Sequence, residues 1–174
     1  MSGMLARRRS RGQAMVEFAL VAPLFFLLVF AIIDFGRYVY TANGLEQAAR
    51  EAARIGSVGM REGCASTATR DACIQQVARG RVPGLGGALT FPAAATGEAV
   101  TGPTTGPYAG IGRYGCFRVP GGGGTAAAVV VANCRTGDLL RVKIETEFTL
   151  VTPLVAQYFH ELTISGEALV TVNQ

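Results

Sequence analysis

Two kinds of apolar spacing divide the chain. From Ala14 to Ile33 the sequence reads AMVEFALVAPLFFLLVFAII, twenty residues with one charge, and as a helix this run spans about 30 Å, the thickness of a bilayer core. Past Asp34 the run gives way to helical spacing. Tyr38, Ala42, Leu45, Ala49, Ala52 and Gly56 recur at steps of four, three, four, three and four, which marks one small apolar face. Glu46 with Arg50 at i+4 and Glu51 with Arg54 at i+3 support the opposite face, by about a few tenths of a kcal/mol each. A single helix from Gln13 to about Ile55 would measure roughly 65 Å. Pro23 removes a backbone donor and Gly44 lowers helix propensity, so a kink is expected near Pro23. The Ala-rich stripe is expected to be the surface on which an outer domain packs.

The carboxy-terminal part alternates with period two. Leu140, Val142, Ile144, Phe148 and Leu150 interleave with Arg141, Lys143, Glu145, Glu147 and Thr149, the signature of a half-buried strand, and only Thr146 interrupts the apolar face. Leu162, Ile164, Gly166, Ala168, Val170 and Val172 form a second such run, expected to pair antiparallel with the first. Residues 126–133 predict a third strand and residues 88–91 a weak fourth. Residues 69–80 predict a short helix with Cys73, Ile74 and Val77 inward. Between Thr101 and Thr125, nine Gly and three Pro stand among 25 residues, a composition that predicts a long loop.

Composition agrees with an apolar segment attached to one modest domain. The chain has 174 residues, 49% hydrophobic and 16% charged, against about 25% charged in ordinary soluble domains. The net charge of +4 is concentrated at the amino terminus, where Arg7, Arg8, Arg9 and Arg11 lie. The remaining chain balances 12 bases against 12 acids, which leaves no basic stripe to follow a nucleic-acid backbone. Arginines before the apolar run, and balanced charge after it, place the amino terminus in the cytoplasm and residues beyond Asp34 outside. A cleaved secretory signal is disfavoured: the run exceeds the usual 7 to 15 apolar residues, and no small-x-small site closes it.

Glu17 is the one acid inside the run. An ionisable group in a membrane helix is costly and points to a function, although near the cytoplasmic end a carboxylate also snorkels to the headgroups. The helix offers no Lys or Arg between Glu17 and Arg37, so a cationic partner is expected from another chain.

Arg11-Gly12-Gln13-Ala14-Met15-Val16-Glu17-Phe18 resembles the processing site of type IV prepilins, with a basic leader, a Gly at the cut and Glu at the fifth mature position. Residues 11 to about 56 look like the TadE-like family, pseudopilins of the tight-adherence (Tad, or Flp) pilus assembly system. Carried over residue by residue, the resemblance implies that Gly12 ends the leader, Gln13 becomes the new amino terminus, and Glu17 serves subunit assembly by pairing with the freed α-amine of a neighbour. Such a pair at about 4 Å is worth about 4 kcal/mol at an effective dielectric near 20, before a desolvation cost that cancels much of it. Gln13 stands where many pilins begin with Phe, and Phe18 where major Flp pilins carry Tyr. The implied partners are a prepilin peptidase, other pilin-like subunits, the inner-membrane pilus assembly platform and the lipid bilayer. The implied location is the bacterial inner membrane, with a single pass.

Cys64, Cys73, Cys116 and Cys134 all follow the apolar run. Even parity in an oxidising compartment predicts two disulfides, for which sequence allows three pairings. Cys64 with Cys73 and Cys116 with Cys134 are favoured because each pair closes a short segment. A four-thiolate zinc site is the rival, but no pair has close C-x(2 to 4)-C spacing.

The chemistry of an enzyme finds little support. His160 is the only histidine, so a two-His metal motif is impossible and any Ser-His dyad would need it. Glu145 and Glu147 share a strand face about 7 Å apart, which invites a glycosidase comparison, but their alternation reads as a solvated face. Gly110-Ile-Gly112-Arg-Tyr-Gly115 matches G-x-G-x-x-G without a helix behind it, and Gly121 to Gly124 lack the P-loop lysine. No catalytic residue, cofactor, metal or small-molecule substrate is expected.

The expected fold class is α+β: a transmembrane helix continuing into a helical spine, packed on a small antiparallel sheet in a pilin-like outline. Its segments are a leader at 1–12, the span at 13–33, the spine at 34–60, and an outer domain at 61–174 that carries loop 101–125. The alternative to an assembly subunit is an uncleaved single-pass envelope protein whose outer domain binds a surface partner.

Overall fold

The computed structural model describes residues 4–58, 69–82, 84–85, 88–94, 114–118, 126–152, 157 and 162–173. Helix α1 is Met4–Val58 and helix α2 is Arg70–Arg81; strands β1 (Gly115–Arg118), β2 (Ala127–Val129), β3 (Leu139–Phe148) and β4 (Leu162–Thr171) make one antiparallel sheet in the order β2-β1-β3-β4. The chain is α+β. It divides into two units, Met1–Val39 with Thr149–His160, and Tyr40–Phe148 with Glu161–Gln174.

In the first unit, α1 carries the apolar run. The helix runs unbroken past Pro23, the site of the expected kink. The apolar side chains from Met15 to Ile33 are largely exposed, and the most apolar window has a mean hydropathy of 2.7 with none of it buried. Such a surface is stable in hydrocarbon rather than water, and one helix here is long and apolar enough to cross a membrane.

In the second unit, the spine of α1 packs on the sheet. Leu45, Ala48, Ala49, Ala52, Ala53 and Ile55 are all buried, a wider stripe than the six-residue face read from spacing. The reason is that two elements meet it. A Cβ added to Gly56 would contact Leu140 of β3 on one side and Ile74 of α2 on the other. Both expected ion pairs are present: Arg50 with Glu46 at 2.5 Å and Arg54 with Glu51 at 3.0 Å, and Arg81 of α2 also reaches Glu51 at 3.3 Å.

The long alternating runs form a ten-residue ladder, β3 with β4, from Leu139 opposite Thr171 to Phe148 opposite Leu162. Leu140, Val142, Ile144, Thr146 and Phe148 are buried on one face of β3. On the other face, Phe117, Ala128 and Leu139 make a second small cluster with Ala94, Ala126 and Leu169.

Four expectations are corrected. Strand β1 lies inside the glycine-rich stretch expected to be loop; its four residues are fixed by pairing with β2 on one side and β3 on the other. The third strand ends at Val129, after which Val131–Asn133 form a single 3-10 turn, and the expected fourth is one bridge, Thr90 opposite Glu145. In α2 the buried residues are Cys73, Ile74 and Ala78, with Val77 only half-buried. Thr69 caps that helix by accepting from the Ala72 amide, Asp71 stands in its first turn and Arg79 and Arg81 in its last, each complementing the helix dipole.

Candidate functional site at the amino-terminal helix

Gly12, Gln13 and Glu17 are all exposed residues of α1. One helical turn separates Gln13 from Glu17, so the two side chains share a face, and Gln13 Nε2 donates to Glu17 Oε1 at 3.3 Å. That donor is a neutral amide, and among the described residues no cation pairs with the Glu17 carboxylate. Space is open beside Gly12, where an added Cβ would meet nothing within 4 Å. The local arrangement is therefore an acid at the start of an apolar sleeve, open to a donor from outside its own helix.

At the other end of the sleeve stands Asp34, which follows Ile33 and is only 5% exposed. Its Oδ1 accepts from the Val151 amide at 2.9 Å, and its Oδ2 accepts from the Thr152 amide at 3.0 Å and the Thr152 hydroxyl at 2.6 Å. Arg37, one turn on, donates to Asp34 Oδ1 at 3.3 Å and to the Thr149 carbonyl at 3.4 Å. A buried carboxylate is tolerated only when hydrogen-bonded and paired, and here both conditions are met. The partners of Asp34 lie 117 and 118 residues away, beyond the reach of any local sequence pattern.

The model of a family described as TadE-like protein matches residues 12–54. Over those residues the amino-terminal helix is similar to the TadE-like family. The match begins at Gly12, takes in Glu17 and Asp34, and ends within the buried stripe of the spine. No curated protein and no solved structure matches the chain.

The cysteines lie outside that segment. Cys116 and Cys134 form the expected disulfide, with Cα atoms 5.9 Å apart and a sequence separation of 18. Cys73 is also disulfide-bonded, whereas Cys64 lies outside the described residues. An oxidised Cys116–Cys134 pair withdraws two thiolates from the zinc alternative.

Beside this disulfide, Asp138 is 5% exposed and gathers Arg118, through Nε at 3.1 Å and Nη2 at 2.8 Å, together with the Arg135 amide at 2.9 Å. The turn is completed by the Asp138 amide donating to the Arg135 carbonyl, with Gly137 at φ +91°, a conformation that favours glycine. Burial raises the Asp138 pKa, but the hydrogen bonds from Arg118 and Arg135 outweigh it and hold the carboxyl below its usual range.

Of the residues considered for catalysis, Glu145 is engaged in structure. Glu145 exchanges backbone hydrogen bonds with Thr90 and its carboxylate pairs with Lys143 at 2.8 Å. Glu147 is exposed. Tyr114, within the G-x-G-x-x-G match, is buried and donates its hydroxyl to Asp71, which also accepts from Gln75. Burial, then the hydrogen bond to Asp71, pushes the Tyr114 pKa up. His160, Gly110, Gly112 and Gly121 to Gly124 lie outside the described residues.

Proposed function

We propose that the protein is a membrane-anchored, non-catalytic pseudopilin or minor assembly component of a tight-adherence pilus or related secretion system. The observation that carries this reading is the coincidence of the TadE-like match over residues 12–54 with an exposed apolar run, residues 14–33, that contains one acid, Glu17. A prepilin peptidase cuts between Gly12 and Gln13. The released Gln13 amine of one subunit pairs with Glu17 of another inside the inner membrane, where a low dielectric makes register errors expensive. Residues 1–12 then act as the leader, 13–33 as the span with its amino terminus cytoplasmic, 34–60 as the spine, and 61–174 as the extracytoplasmic domain. Other pilin-like subunits and the inner-membrane platform are its partners.

A second reading, an uncleaved anchor with a surface-binding outer domain, draws on the Gln13 to Glu17 hydrogen bond, which shows that the uncut helix already supplies Glu17 with a neutral donor. Mass spectrometry of the membrane-extracted protein separates the two. Cleavage gives a mature chain of 162 residues, the 174 of the full sequence less 12, beginning at Gln13; an intact amino terminus in the functioning host supports the anchor. Glu17→Ala should leave insertion unchanged and abolish co-purification with pilin partners.

A further inference from the structure

The sleeve of α1 ends on a clamp. Asp34 takes three hydrogen bonds from the consecutive residues Val151 and Thr152, and Arg37 adds one to the carbonyl of Thr149. The segment that leaves β3 at Phe148 is thus tied to the helix position where the apolar run stops. Thr149–His160 groups with Met1–Val39 rather than with the sheet from which it emerges. The grip is on the backbone of Val151, and its apolar side chain is left 52% exposed. A hydrogen bond of 2.9 Å from its amide to Asp34 fixes the depth of Val151: wherever Asp34 stands relative to the bilayer, Val151 stands within a side chain's length of it.

We infer that residues 149–152 are a second, peripheral contact with the lipid surface, with the Val151 side chain seated in the outer headgroup region beside the end of the span. The inference rests on the reading of residues 14–33 as membrane-spanning. Its chemistry is a division of labour. Asp34 carries a charge that hydrocarbon would reject, and the amides of residues 151 and 152 satisfy that charge within the protein. The apolar Val151 side chain is exposed, as are those of Ile32 and Ile33. A contact on one side of a helix end sets its tilt and rotation in the bilayer, which apolar length alone leaves open.

The chain has no Trp, so one introduced tryptophan reports its own surroundings without background. Three full-length variants, Phe26→Trp in the run, Val151→Trp in the clamp and Val130→Trp as an exposed reference in the other unit, are reconstituted in vesicles of phosphatidylcholine brominated near the top of its chains. The inference expects quenching of Phe26→Trp and Val151→Trp above that of Val130→Trp. It also expects the Val151→Trp quenching to fall to the reference level when Asp34→Ala is added, with Phe26→Trp unchanged by the same addition. If Phe26→Trp is quenched and Val151→Trp matches the reference, the peripheral contact is wrong and the span stands. If Phe26→Trp also matches the reference, the span reading fails and takes the inference with it. Quenching of Val151→Trp that survives Asp34→Ala overturns the clamp as the cause of its depth.

Discussion

Gly166 of β4 lies directly against the backbone of Leu45 in the spine helix: a Cβ on Gly166 would stand 2.4 Å from the Leu45 carbonyl carbon, 2.5 Å from its oxygen and 2.6 Å from the Glu46 nitrogen. All three are backbone atoms of a helix, and none can swing aside as a side-chain tip does. The sheet therefore accepts α1 at this distance only because position 166 has no side chain. Gly166→Ala is expected to destabilise the helix-and-sheet unit by about 1 to 3 kcal/mol, the usual cost of overpacking a core. Gly80, near the end of α2 with nothing within 4 Å of an added Cβ, is the matched control, and Gly80→Ala should stabilise by about 0.5 to 1 kcal/mol. Urea unfolding of the full chain in detergent, followed by pulse proteolysis, reads both; equal midpoints for the two variants would refute the close approach.

The Cys116–Cys134 disulfide joins β1 to the turn after Val131–Asn133, so it fastens a strand that has only four residues of its own. Replacing both by Ala should cost about 2 to 4 kcal/mol. In hydrogen exchange, the β1 amides should lose protection before those at the centre of the β3 and β4 ladder. Uniform loss along all strands would mean that β1 does not depend on the bond.

Acid should weaken the domain through Asp138. Its folded pKa is depressed below the unfolded value of about 3.9. The stabilisation is therefore fully present above that unfolded value and is lost as pH falls through the lower, folded one. Asp138→Asn removes this contribution, and its stability should vary less than wild type between about pH 5 and the acid limit. A wild-type slope retained in the variant would assign the acid sensitivity to other carboxylates.

Legibility followed the range of the interactions. The β3 and β4 strands were readable because each alternates over ten residues and pairs with the other. The long apolar helix was readable because bilayer thickness sets the length such a run needs. Strand β1 was hidden because Gly115–Arg118 has no pattern of its own within a Gly- and Pro-rich stretch and is held by strands on both sides. The clamp at Asp34 was hidden for a related reason: its donors, Val151 and Thr152, are brought to it by the fold. At the helix start the case is reversed. Glu17 stood out by its chemistry and its spacing from Gly12, while the fold around it adds one hydrogen bond from Gln13.

Thr146 was visible in the sequence as the one polar residue on the apolar face of β3, and the structure shows what that costs. The residue is 2% exposed, opposite Ile164 on β4, and its hydroxyl has no hydrogen-bond partner among the described residues. Burying a hydroxyl without a partner costs about 1 to 3 kcal/mol on mutational scales. Valine has the same branched shape and favours strands. Thr146→Val is therefore expected to stabilise the domain by about 1 kcal/mol or more, and Thr146→Ser, which keeps the hydroxyl and removes the methyl, to destabilise it. Urea midpoints in detergent measure both. A Thr146→Val midpoint below wild type would show that the hydroxyl is hydrogen-bonded after all, and a high-resolution structure of the variant would then locate the donor or acceptor it lost.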